Sequence, residues 1–206
     1  MDASGAQYEI RFGDSRAVAV EVGGGLRLYD DVLLVYDANE MAAAGRGQVL
    51  APWPNRLADG AYSFGGSSFQ LPINEPETHT AIHGLVRFAN WVCVEHRPSR
   101  VVLEHTLHPQ PGYPFLLRLR VAYDLDEAGL KVETSTENLG SDPLPFGLAH
   151  HPYIAGRADE FQVTLPAAAR LRVDSRKLPD GREPNDLPGT FVIGDRQIDA
   201  TFTDLT

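Results

Sequence analysis

Four short stretches of this chain hold the residue types that do chemistry. PWPNRLADG carries Arg56, LPINEPETHTAIHGL carries Asn74, Glu75 and His83, HHPYIAG carries His151 and Tyr153, and IDATFTDL carries Asp199. Arg56 follows two prolines that set the path of the chain, with Trp53 beside it as a flat apolar surface. A fixed guanidinium fork next to an aromatic ring is one way to hold vicinal hydroxyls, by hydrogen bonds and by stacking on a CH face. A surface ion pair is the plainer use of the same arginine. His83 precedes Gly84 at the end of a long loop, where glycine lets the backbone turn and a ligand approach. The plainer role for a single histidine is to satisfy hydrogen bonds in the core as a neutral imidazole.

Neighbouring side chains in an extended segment point to opposite faces, so His150 and His151 are not expected to share one pocket. Pro152 disfavours the helical region for the residue before it, which makes His151 the better fixed of the two and His150 the bystander. Other chemistries lack their residues. The seven histidines form no HExxH or CxxC-type spacing, so neither a metal nor another cofactor is expected. No GxSxG nucleophile turn is present. Gly23 to Gly25 has no GxGxxG or GKS/GKT pattern and reads as a hairpin turn. Cys93, the only cysteine, reads as a half-buried strand residue and excludes an intramolecular disulfide.

The elements that must position these residues are strands. Alternating runs such as RAVAVEV, WVCVEH, RVVLEHTL, LLRLRVAYDL and LKVETSTE are separated by turn residues, with GG at 65 to 66 and DEAG at 126 to 129 as hairpin joints. ANEMAAAG is the nearest approach to a helix. An all-β fold follows, a large antiparallel sandwich forming one domain over residues 1–206. Residues 51–60 and 71–84 are rich in Pro, Asn and Gly and read as long loops outside any central strand; 174–198 reads the same way. A sandwich carries its function on such loops.

Composition narrows the partners. The 206 residues carry a formal net charge of -10 with no run of Lys and Arg, which repels nucleic acid and favours a neutral or cationic small ligand. No stretch approaches the ~20 apolar residues of a membrane span, and the start MDASGAQYEI lacks a basic and apolar leader, so no membrane association and a cytoplasmic location are expected.

Taken in order, PWPNRLADG, LPINEPETHTAIHGL, HHPYIAG and IDATFTDL resemble the aldose 1-epimerase (galactose mutarotase) family, over nearly the whole chain from about Gln48 onward. The resemblance implies a large antiparallel sandwich with an open cleft and an aldohexose substrate. It implies that Arg56 and Asp199 orient hydroxyls and that His151 and His83 are the catalytic histidines, with Asn74, Glu75 and Tyr153 lining the sugar and Trp53 and Phe146 as further stacking surfaces. Anomer interconversion needs an acid able to give and retake a proton at the ring oxygen near pH 7, and imidazole, with an unperturbed pKa of about 6.5, suits that task. The family's base is a glutamate beyond the motif that holds Asp199, whereas here no glutamate follows Glu183, and the family's HPYFN reads HPYIAG, so its asparagine is replaced. These departures lead to the expectation of a fragment lacking C-terminal strands, which would leave sheet edges unpaired. A carbohydrate-binding sandwich without catalysis is the alternative.

Overall fold

The computed structural model describes residues 2–205. They gather into two compact units, Met1–Pro76 with Thr80–Ala155, and Glu77–His79 with Gly156–Thr206. All pairings between strands are antiparallel, and the only helical elements among the described residues are two short 3-10 turns, one of them (Ala43–Gly45) inside the ANEMAAAG stretch. None is long and apolar enough to cross a membrane.

The first unit opens with a sheet of β1 (Gln7–Phe12), β2 (Ser15–Val20) and β3 (Leu26–Tyr29). Gly23–Gly25 forms the turn between β2 and β3, as its composition predicts. Gly24 has φ +59, and a Cβ on it would lie 2.6 Å from Cδ2 of the buried Trp91, so this glycine serves both the turn and the packing of the indole.

Short strands follow: β4 (Val49–Leu50), β5 (Arg56–Ala58), β6 (Ala61–Phe64), β7 (Ser67–Gln70) and β8 (Thr80–Ile82). β6 and β7 form the hairpin that Gly65 and Gly66 announce. β5 pairs with β8 in the register Arg56↔Ile82, Leu57↔Ala81, Ala58↔Thr80. The two stretches expected as loops are therefore zipped to each other over three residues. RLA and TAI contain neither Pro nor Gly, and the turn-forming residues that mark these stretches flank the pairing rather than interrupt it.

The main sheet has the order β12-β11-β10-β9, from β9 (Val92–Arg97), β10 (Arg100–Leu107), β11 (Leu117–Asp126) and β12 (Gly129–Asn138). Alternation decides its faces. Leu117, Leu119, Val121, Tyr123 and Leu125 are buried, and they join Val101, Leu103 and Leu107 of β10 and Ile10, Ala17 and Ala19 of the first sheet in one core. The opposite face is laced by ion pairs such as Arg120–Glu104 at 2.5 Å and Arg118–Glu137 at 2.7 Å, which keep it soluble more than they stabilise it. Tyr123 donates its hydroxyl to the Gly24 carbonyl at 2.8 Å, so the buried phenol is satisfied and ties the main sheet to the glycine turn. Finally β13 (Ala149–His150) returns to pair with β4, setting His150 opposite Val49.

In the second unit β14 (Gln162–Thr164) pairs with β17 (Thr190–Val192), and β15 (Ala167–Val173) lies between β16 (Pro179–Pro184) and β18 (Thr201–Leu205). The expectation that 174–198 is loop is thus corrected by β16 and β17. β16 is an edge strand with prolines at its two ends, the place where a missing N–H is tolerated. Asp204, in β18, pairs with Arg182.

Candidate active site

The β5–β8 pairing delivers Arg56. Its Nε and Nη2 meet Glu75 Oε2 and Oε1 at 2.6 and 2.7 Å, a bidentate pair, while Nη1 donates to Asn55 Oδ1 at 3.1 Å. Both side chains are mostly covered, at 16% and 22% exposure, so the pair is better shielded than a surface bridge. Glu75 Oε2 also accepts the Thr80 hydroxyl at 2.7 Å. Asn74 was expected to touch a ligand. Its amide instead brackets one residue of β8, donating to the Ile82 carbonyl at 3.1 Å and accepting the Ile82 N–H at 2.7 Å. The backbone groups of a largely buried residue need partners, and Asn74 supplies them, so it shapes the loop that presents the next residue, His83.

His83 sits in the left-handed region with φ +63. Its N–H donates to the Asn55 carbonyl at 2.9 Å and its Nδ1 accepts the Asn55 N–H at 3.2 Å. A ring whose Nδ1 accepts must carry its proton on Nε2 when neutral. Burial, followed by the charges of His151, Arg87 and Arg56, lowers its pKa to about 4, with Glu75 opposing. The unfolded chain therefore binds this proton at a higher pH than the folded one does, and stability falls as pH drops from the ordinary value of 6.5 towards about 4. Urea midpoints at pH 7.5 and 4.5 should differ more for the wild type than for His83→Gln; equal differences would remove His83 from the acid sensitivity.

His151 follows β13 directly. Its N–H donates to the Gln48 carbonyl at 3.3 Å and its carbonyl accepts the Gly47 N–H at 2.9 Å. The ring lies 5.4 Å from that of His83, edge to face at 73°, and 5.3 Å from that of Tyr153, tilted by 32°. His150 turns away, with Nε2 at 2.8 Å from the Thr134 hydroxyl and its pKa lowered by burial. The adjacent histidines diverge as strand alternation predicts. One part of that expectation needs correction: both residues border an apolar cavity of about 260 Å³ lined by Leu26, Tyr29, Leu33, Leu130 and Val132. β13 ends at His150, so His151 lies beyond the strand and both side chains reach the same cavity.

The remaining expected residues are placed as follows. Trp53 is buried in the core with Nε1 donating to the Ala81 carbonyl at 3.3 Å, and it contributes to the lining of the cavity that Phe146 borders. Phe146 is 39% exposed and lines a separate cavity of about 340 Å³ with Tyr62 and Tyr113. Asp199 belongs to the second unit, where its carboxylate lies 3.2 Å from Lys177 Nζ with the side chain 88% exposed. Cys93 is half-buried in β9, with its thiol pKa raised chiefly by burial. Two arginines outside the motifs join the site. Arg87 packs over the Phe88 ring at 4.7 Å and its charge reaches His83, and Arg46 lies 5.2 Å from the Tyr153 ring centroid. Arg46 stands between two glycines, a weak signal of a cation held in a tight turn.

Residues 7–204 match the family model described as aldose 1-epimerase. The chain belongs to the aldose 1-epimerase family. It is 37% identical over 187 residues to the uncharacterized protein YihR of Escherichia coli K12, covering 87% of this chain and 61% of that protein. It is 29% identical over 143 residues to galactose mutarotase of Mus musculus, covering 66% of this chain and 41% of the mouse protein. The chain thus spans less than two thirds of the length of these relatives. Among solved structures, the GalM/aldose epimerase homologue from C. elegans superposes with a TM-score of 0.77 at 20% identity, over 92% of this chain and 62% of the other. Galactose 1-epimerase from Lactobacillus acidophilus gives 0.74 at 21% identity, over 92% and 67%. These likenesses establish the galactose mutarotase-like fold.

Proposed function

We propose that this epimerase-family chain interconverts the α and β anomers of an aldohexose, with His151 as the acid at the ring oxygen. The observation that carries the proposal is the meeting of the His83 and His151 rings at 5.4 Å beside the Arg56–Glu75 pair, from stretches far apart in sequence. In the forward step a base removes the proton of the anomeric hydroxyl, the C1–O5 bond breaks as C1=O1 forms, and O5 takes a proton from His151. Rotation about C1–C2 and the reverse transfers give the other anomer. The two histidines divide the work. His83, held neutral with Nδ1 occupied, donates through Nε2–H and fixes the sugar without exchanging protons. Arg56, oriented by Glu75 on one edge and Asn55 at Nη1, presents its guanidinium plane to the sugar. Asp199 is assigned a hydroxyl ligand's role by its motif alone.

One observation favours a second reading, carbohydrate binding without catalysis. Glu75, the carboxylate whose charge reaches His83, has its oxygens engaged by Arg56 and Thr80, which suits a positioning group and not a base. Polarimetry of freshly dissolved α-glucose and α-galactose separates the two. Faster decay of rotation with protein present supports the epimerase; saturation-transfer NMR contacts to the sugar with no faster decay support the binding module. Neither signal at millimolar sugar would sink both.

A further inference from the structure

We infer that Arg46 and Tyr153 are positioning residues that clamp the His151 ring against His83 and keep it out of the cavity beside it. The kinetic part of this inference rests on the proton-donor reading of His151; the structural part does not. An active imidazole is usually oriented by a hydrogen bond on its second ring nitrogen. His151 lacks one, because its Nδ1 is buried with no hydrogen-bond partner among the described residues. Ring contacts must then do the orienting. Tyr153 lies against one side of the imidazole at 5.3 Å and His83 meets it at 5.4 Å.

Tyr153 is itself held. The Arg46 guanidinium lies 5.2 Å from its ring centroid, and its hydroxyl reaches the Ala44 carbonyl at 3.4 Å. Arg46 Nη1 reaches the Val35 carbonyl at 3.4 Å, its Nε is buried without a partner, and no ion pair is formed by it among the described residues, so the aromatic face is its principal fixed contact. The backbone closes the arrangement, since Gly47, next to Arg46, donates to the His151 carbonyl at 2.9 Å. The alternative position is at hand. The cavity of about 260 Å³ that His151 borders is lined mostly by apolar side chains, Leu26, Leu33, Leu130 and Val132 with the rings of Tyr29 and Tyr123, and exceeds the volume of an imidazole. Gly45 presents no side chain towards the ring; a Cβ there would lie 3.9 Å from His151 Cγ, in ordinary contact. A ring without a hydrogen bond, beside open apolar space, stays forward only while the stack holds it.

The test uses Arg46→Gln, Tyr153→Leu, Tyr153→Phe and the cavity-filling double variant Arg46→Gln/Val132→Phe. In protein with labelled histidine, His151 ring protons are assigned by their loss in His151→Asn. Arg46→Gln and Tyr153→Leu should show new NOEs from these protons to Leu130 and Val132 methyls, whereas Tyr153→Phe, which keeps the ring, should retain the wild-type pattern. On active protein, Arg46→Gln and Tyr153→Leu should lower kcat roughly 10- to 100-fold with KM nearly constant, and Val132→Phe should restore much of the loss in the Arg46→Gln background. Unchanged His151 NOEs in both single variants would overturn the clamp whether or not the wild type turns over sugar. Inactive wild type with the expected NOE changes would instead overturn the epimerase reading alone.

Discussion

If the chain has the proposed activity, His151→Asn is expected to remove it, with kcat falling on the order of 10²- to 10⁴-fold while the protein stays folded. Asparagine keeps a polar group of similar reach but cannot cycle a proton near neutral pH. The fold should tolerate it, because the hydrogen bonds that anchor residue 151 come from its backbone, to Gln48 and Gly47, and its Nδ1 contributes none. His150→Asn is the matched control: that ring is directed to Thr134 of β12, and its loss should change the rate little. Polarimetry of the two variants beside the wild type decides. Equal rates for wild type and His151→Asn would remove His151 from the acid role. If the wild type binds sugar without turning it over, the same variant should weaken binding, which saturation-transfer NMR would read.

What could be read from the amino acids was whatever depends on neighbours along the chain. The Gly65–Gly66 hairpin, the turn between β11 and β12, the alternation that buries Leu119, Val121 and Tyr123, and the divergence of the His150 and His151 rings all follow from spacings of a few residues. The candidate site residues stand out in the sequence because the stretches that carry them follow one another in the order that resembles the family. Their partners do not. Whether Arg56 faces a ligand or a carboxylate depends on the β5–β8 register, which brings Glu75 to it across the loop, and nothing local to PWPNR encodes that pairing. The backbone role of Asn74 is hidden for the same reason: its amide answers the backbone of Ile82, eight residues on. Arg46 and Arg87 carry no motif, and their roles come only from the rings on which they lie, one held to the chain by the β4–β13 return. Strand β16 is hidden in the composition because prolines at an edge obey different rules from prolines in a sheet centre.

Gly84→Ala is expected to destabilise the protein by at least about 3 kcal/mol and to part the two histidines. The cause is steric and local. Gly84 has φ +70, and a Cβ on it would lie 2.0 Å from the Ala51 carbonyl oxygen and 2.3 Å from its carbon. Both are backbone atoms, so no rotamer change relieves the clash. Ala51 is fully buried, and its carbonyl accepts the Leu85 N–H at 2.7 Å, so a shift also breaks a hydrogen bond that water cannot replace. The junction matters for the site because each side leads to one histidine. Gly84 follows His83, while Ala51 follows β4, whose partner β13 carries the chain into His151. Forcing the two segments apart therefore separates the rings that now meet at 5.4 Å. Gly65→Ala is the control without the clash, since Gly65 has φ +59 but nothing within 4 Å of its added Cβ. That variant should lose only the conformational cost, about 1 kcal/mol. Urea unfolding of both proteins measures the difference, and a Gly84→Ala protein as stable as Gly65→Ala would mean that the contact between Ala51 and Gly84 does not hold the halves of the site together.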